Sequence, residues 1–535
     1  MKKIFKRLST VVLAMVMMFT LIACGGSGEG TGSSERELNE DAVVTFALAS
    51  AWDVLNPYTS SGGSFAGLVY EKIFDRLVYV DSNFEVHPRA AESWKIDGNK
   101  LTVYLNKNSK WHDGTSVTAD DWVFTIQYAS SSEAKLISHG FCGILEGTTL
   151  GGVETSKDSV AVKALDDYTL ELTLKKEYVE SSVALSYMKN MWVLPKHILG
   201  NLSDQEISDS DFWSNPIGSG PCIYESQIAG SEITLKSNDN YQLGKPKFSK
   251  LVFKVVAQSN FANAIASGEV DITYTHMESE VAMSLEGTSG IKVQKQTNPT
   301  FLQLWGFDNT RVPTSIRNAC NLAIDKKVLV DNYYAGAGAL TESIILPGSD
   351  YYVDKTDKGQ NLDKAKKLVD EAIAAGEWSA DQVLEIGVNS DSRKSQAEVM
   401  VQWLASAGIK AKVTMYDSAT MWANMFGKKL DSCMMGIMPT NDPLSMAGLY
   451  KNNTTTYFWV QNPGFTELIE KIEVESDSTK RHELVKQFQE LEWSECPVSW
   501  ICAQYSYAVT SDRLEADPFA SDMINNDVWN WKVYK

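Results

Sequence analysis

From residue 363 onward the chain alternates helix and strand with clear stop signals, and this alternation limits the folds open to it more than any other feature. Asp363 stands where an N-cap belongs. Ala365, Leu368, Val369, Ala372 and Ile373 repeat at i, i+3, i+4, i+7 and i+8, and Gly376 closes the helix. A strand over 384–388 follows, then a helix over 396–407, a stop at Gly408 and a strand over 409–415. Such alternation builds an α/β layered lobe. Sheets of this kind take ligands at the carboxyl ends of their strands, near the junction between lobes.

The first half is less regular. The run AVVTFAL at 42–48 reads as a buried strand, and Phe65, Val69, Ile73 and Leu77 line one side of a helix after the Asn56-Pro57 loop. Leu101, Val103 and Leu105 alternate with Thr102 and Tyr104, as in a half-buried strand. Thr118 with Asp121 three residues on predicts a capping box for a helix running to Ala129. A further helix over 317–334 puts Cys320, Ala323, Ile324 and Val328 on one face. No repeat of 20–50 residues is found. A chain of 535 residues exceeds what one hydrophobic core serves, so at least two lobes are expected.

Ahead of this body, Lys2, Lys3, Lys6 and Arg7 give a positive start with no acid nearby, and 11–23 is apolar apart from Thr20. That run is short for a membrane span and reads as a signal segment, 1–23. It ends in Leu21-Ile22-Ala23-Cys24, which resembles the lipobox of bacterial lipoproteins and implies lipid on the Cys24 sulfur. The next residues are mostly Gly, Ser, Glu and Thr, a composition suited to a flexible tether over 24–40. No other stretch approaches eighteen apolar residues, so the body is not expected to span a membrane.

Taking the leader's four Lys/Arg and no acid from a formal charge of −19 leaves −23, which argues against nucleic acid as a partner. Besides Cys24 there are Cys142, Cys222, Cys320, Cys433, Cys496 and Cys502, none at C-x-x-C spacing. Cys496 and Cys502 are the nearest pair for a disulfide, and buried free thiols are the expected state.

No catalytic pattern emerges. His87, His112, His139, His197, His276 and His482 are scattered, and His482-Glu483 lacks the second histidine of a zinc-protease helix. Gly244-Lys245 lacks the earlier glycine of a P-loop, and no G-x-S-x-G elbow exists. Two S-x-x-K strings, at Ser132 and Ser186, have no supporting motif. The expectation is a protein that is not an enzyme, with no cofactor and no metal.

Seven ordered segments carry a family resemblance: PRAAESW at 88–94, LTVYL at 101–105, WHDGTSVTADDW at 111–122, IGSGP at 217–221, GKPKF at 244–248, GEVDI at 268–272 and IRNACNLAID at 316–325. Their order and spacing resemble the family-5 solute-binding proteins of peptide-type ABC transporters. The resemblance implies a two-lobed, type II periplasmic-binding-protein-like α/β fold with an extra domain inserted in the first lobe. It implies lobe one over 41–75, 217–300 and 503–535, the inserted domain over 76–216, and lobe two over 301–502. The crossings between lobes are expected near 303–306 and 500–504. The implied partners are an oligopeptide or related solute and the permease subunits of a transporter. The implied setting is a monomer anchored by lipid to the outer face of a cell membrane, at a Gram-positive surface. An oligosaccharide, an opine, a metal chelate, or a surface receptor without a permease stay open as alternatives.

Within that frame the ligand-binding candidates are the aromatics near strand ends and crossings, Trp52, Trp305, Trp422, Tyr457 and Tyr505, with Asn441 and Asp442 from the loop GIMPTNDP at 436–443. Peptide-binding members carry an acid in this loop that pairs with the peptide's amine. Counting back from Pro443, that position falls on Pro439, which cannot form an ion pair. Either the ligand has no free α-amine, or another acid such as Asp442 or Asp53 takes over.

Overall fold

The structure is a computed structural model. It describes residues 36–535 except 61–64, 82, 84, 135, 137–140, 142, 150–151, 154–155, 274–278, 356–358, 440–441, 444–448, 452–457 and 520–526. Cys24, Asn441 and Tyr457 therefore lie outside the described residues.

Two large sheets organise the body, and they share one strand order. In the six-stranded sheet Val383–Val388 lies in parallel between Lys410–Met415 and Ser432–Ile437. Phe301–Phe307 then runs antiparallel to Ser432–Ile437, followed by Val498–Gln504 and Gly338–Ala339. In the seven-stranded sheet Val43–Leu48 lies in parallel between Lys250–Val255 and Ile272–Thr273. Tyr507–Ser511 runs antiparallel beyond them, next to Ile291–Lys295. Cys222–Ile228 and Glu232–Ser237 complete the far edge. Each sheet thus takes in one strand that arrives from the other.

A third sheet, four-stranded and antiparallel, joins Ala91–Asp97, Lys100–Leu105, Thr169–Thr173 and Val162–Asp166. Its Leu101, Val103, Leu170 and Leu172 share one buried cluster with Val44, Phe46, Ile233 and Leu251 of the seven-stranded sheet. A continuous core makes the small sheet an extension of the first lobe. The six-stranded sheet buries both faces separately: Leu302 and Leu304 face one cluster, Trp305 and Phe307 the other. The two faces stay distinct because side chains alternate along a strand.

Local signals explain most boundaries. Thr118 and Asp121 form the expected capping box on helix Ala119–Ala129. Gly376 and Gly408 take positive φ of 73° and 89° just past helices Leu362–Ala374 and Asp391–Ser406. Asn361, not Asp363, caps the first of these, and Ser390 caps the second several residues before the expected start. The expected helix over 317–334 is two, Thr314–Ala323 and Lys326–Tyr333. Ile324 turns extended and Asp325 accepts the Val328 N–H as a fresh N-cap, which apolar periodicity does not reveal. Leu77 falls beyond helix Ala66–Ile73.

The recurrent motifs prove to be joints of the scaffold. His112 donates from Nε2 to the Gly220 carbonyl (3.1 Å) and accepts at Nδ1 from the Gly218 N–H (3.2 Å). Burial drives its pKa down to about 4, so it serves as a neutral staple. Gly218 and Gly220 press against the end of helix Ala66–Ile73, where a Cβ on Gly220 would stand 2.5 Å from the Lys72 carbonyl oxygen. Arg89 is fully buried, paired with Asp75 and donating to Tyr241 Oη at 3.2 Å. Cys222, Cys320, Cys433, Cys496 and Cys502 are buried free thiols, so the pairing of Cys496 with Cys502 is absent.

Candidate functional site

Strand direction locates the site. Leu302 pairs with Ile437 and Phe301 with Gln504, so the chain enters and leaves the six-stranded sheet beside the carboxyl end of Ser432–Ile437. In the other sheet Lys295 pairs with Tyr507, and Thr510 with Ile272, so the chain leaves and returns beside the carboxyl end of Ile272–Thr273. The carboxyl edges of both sheets therefore meet at the same two crossings, 296–300 and 505–506. These lie a few residues from the expected positions, because both strands continue to the rim of the six-stranded sheet. Gln504 spans the joint: its Oε1 accepts from Gln303 Nε2 at 3.0 Å, and its Nε2 reaches Ser279 Oγ at 3.5 Å.

Four of the sequence candidates sit on segments that leave these edges. Trp52 follows strand Val43–Leu48, half-buried, with its indole N–H donating to Gln227 Oε1 at 3.2 Å. Tyr505 forms part of a crossing, and the Lys295 ammonium lies 3.8 Å from its ring centroid. Trp422 lies on helix Ser418–Phe426, after strand Lys410–Met415, half-buried and stacked on Phe426. Asp442 follows strand Ser432–Ile437 and is buried.

Trp305 is different. It is fully buried among Phe307, Ile316 and Cys320, so its ring fills the helical layer of its lobe. A ligand-lining role expected at Trp305 gives way to packing, since proximity to a crossing does not set which face a strand residue takes.

The acids of the rim are now distinguishable. Pro439 is buried, with no charge to offer. Asp442 Oδ1 accepts from Ser182 Oγ at 3.1 Å and lies 3.4 Å from Arg481 Nη2, so this carboxylate already has a cation. Asp53, on the loop after Val43–Leu48, is exposed and accepts from Ser60 Oγ at 2.9 Å.

One charged residue escaped sequence reasoning. Arg393 stands in the first turn of helix Asp391–Ser406, directly after the carboxyl end of Val383–Val388. Its Nη1 donates to Asn389 Oδ1 at 2.7 Å, and its Nη2 would lie 3.3 Å from a Cβ on Gly436. Burial lowers its pKa from the ordinary value, yet among the described residues no carboxylate pairs with it. A cation at a helix N-terminus opposes the helix dipole, and that anomaly is a signal the sequence does carry.

Among the described residues the histidines include one mixed trio, in which ligand atoms of Asp81, Glu85 and His87 lie within 4.8 Å of one another. Asp81 takes the Asn83 and Glu85 N–H groups at Oδ1 and His87 Nε2 at Oδ2 (3.0 Å), which accounts for the grouping as a hairpin turn.

The sequence pattern of the bacterial extracellular solute-binding proteins, family 5, matches residues 85–458, more than half of the chain. The chain belongs to that family. Among relatives of this family-5 protein, heme-binding protein A of Haemophilus influenzae is 23% identical over 550 residues, spanning 96% of this chain and 97% of its own. Oligopeptide-binding protein AppA of Bacillus subtilis is 23% identical over 560 residues, 99% of each chain. The structure of AppA with a nonapeptide superposes with a TM-score of 0.78 at 19% identity, covering 94% of this chain and 100% of that one. The ABC transporter substrate-binding protein CtaP of Listeria monocytogenes gives 0.79 at 22% identity, covering 93% and 100%. The family-5 fold is accordingly the two-lobed one.

Proposed function

We propose that this protein captures an oligopeptide, or a closely related solute, between its two lobes and delivers it to the permease of an ABC transporter. It works outside the cytoplasm as a monomer, held to the membrane of a Gram-positive cell by lipid on Cys24. In this reading lobe one comprises 41–75, 217–300 and 503–535, the inserted domain 76–216, and lobe two 301–502. The function is capture and release, with no chemical turnover.

One observation carries the reading: the carboxyl edges of both sheets meet at the two crossings. A solute held there touches both lobes only when they close, so binding and closure are linked. The names of AppA and CtaP support a peptide and a transporter partner. Arg393 supplies a cation suited to a peptide's terminal carboxylate, and Asp53 an exposed acid for its amine.

Calorimetry on ligand-stripped protein tests this with one nonapeptide in three forms: free, N-acetylated and C-amidated. The free form should bind, amidation should weaken binding at least about tenfold, and the peptide should be recovered intact. Absence of binding to all three forms would defeat the peptide reading, and cleavage of the peptide would defeat the claim of no turnover.

A further inference from the structure

Away from the crossings, segment 176–182 of the inserted domain touches lobe two. Two acids of lobe two receive it, and both are built alike. Asp442 has a cation of its own lobe, Arg481, at 3.4 Å. Glu473 likewise has Lys451, at 2.7 Å. Each acid also takes a donor from the inserted domain: Ser182 Oγ reaches Asp442 at 3.1 Å, and Lys176 Nζ reaches Glu473. Between these two arms the Val179 N–H donates to the Glu473 carbonyl at 3.1 Å. Arg481 also donates to Ser182 Oγ at 2.7 Å, and its guanidinium lies over the Tyr351 ring.

The partition of donors matters. If the inserted domain moved away, neither acid would lose its own cation, and both would only be rehydrated. The Asp442–Arg481 pair is nearly dry, with side chains 1% and 5% exposed, and burying such a pair roughly offsets its own attraction. A contact of this kind fixes where the two bodies dock without locking them together. We propose that segment 176–182 is a reversible clasp, which docks the inserted domain on lobe two, with or without ligand, by supplying second donors to two acids that lobe two has already neutralised. The proposal rests on the lobe boundaries given above and needs no ligand. It gives Asp442 a task other than gripping a ligand amine: as a positioning residue it receives Ser182 of the inserted domain.

Amide hydrogen exchange on the full chain without ligand tests the clasp apart from any peptide. The Val179 N–H should be protected in the wild type. The double variant Ser182→Ala, Lys176→Met removes only the donors of the inserted domain and strands no buried acid. It should exchange about tenfold faster in segments 176–182 and 473–481, with core strands unchanged. Ser182→Thr, which keeps the hydroxyl, should restore protection when combined with the native Lys176. Raising salt should speed exchange at Val179 by loosening the Lys176 arm, whose side chain is 33% exposed. Unchanged exchange in the double variant, or a wild-type Val179 amide as fast as an exposed loop, would overturn the clasp. Either result would leave the peptide titration to judge the proposed function separately.

Discussion

The six-stranded sheet reaches the seven-stranded one through the strands Phe301–Phe307 and Val498–Gln504, whereas among the described residues segment 176–182 meets Asp442 and Glu473 through side chains and one backbone hydrogen bond. At the crossings the two strands pair along most of their length, and Trp500 is buried with its indole N–H 2.7 Å from Glu492 Oε1. At the clasp the contacts are two acids with donors on both sides. Apolar burial and backbone ladders hold the crossings in every state. The clasp uses groups that water can satisfy equally well, and so it can open. The difference teaches that one seam is a joint and the other a fastening.

The largest effect should come from damaging the joint. Trp500→Ala removes a ring buried in the core of lobe two and strips Glu492 of a donor, and should destabilise the protein by about 3–5 kcal/mol. Denaturant midpoints read this directly; a loss under 1 kcal/mol would show that the crossing strands are not the joint described here.

The same joint should respond to pH. Glu492 accepts from Trp500 Nε1, from the Ile344 N–H at 3.2 Å and from Tyr450, and burial pushes its carboxyl up to about 7. A folded pKa above the ordinary 4.5 means the folded state binds more protons between these values. The contribution of Glu492 is therefore fully present below pH 4.5 and is lost as pH rises through 7, by on the order of 3 kcal/mol. Glu492→Gln should flatten that slope in melting temperature against pH; an unchanged slope would assign the pH dependence elsewhere. Sensitivity to pH at the joint and to salt at the fastening separates the two seams.

Arg393 probes the carboxyl edge of the six-stranded sheet. Arg393→Gln should reduce affinity for a free-acid nonapeptide by about 1.5–3 kcal/mol, and should abolish the preference over its C-amide. If the variant still prefers the free acid by the wild-type margin, the carboxylate is read by another group.

Much of the fold was legible because periodicity and caps are local. Thr118 with Asp121, and the glycines at 376 and 408, marked boundaries that the structure keeps. The split at Ile324 was missed because Asp325 caps a new helix inside an unbroken apolar pattern. At the site, Trp52, Trp422, Asp442 and Tyr505 could be placed near strand ends because strand ends are readable. Trp305 could not be assigned to a face, since nearness to a crossing does not say which side of the pleat a residue takes. Ser182 and Arg481 carried no signal at all: they are 299 residues apart, and only the fold joins them.

The central claim is that a solute held where the two carboxyl edges meet draws the lobes together. Small-angle scattering of the ligand-stripped protein, titrated with the nonapeptide to saturation, tests it most directly. The radius of gyration should fall in step with the calorimetric binding curve and then level off. Saturable binding with no compaction would contradict the account.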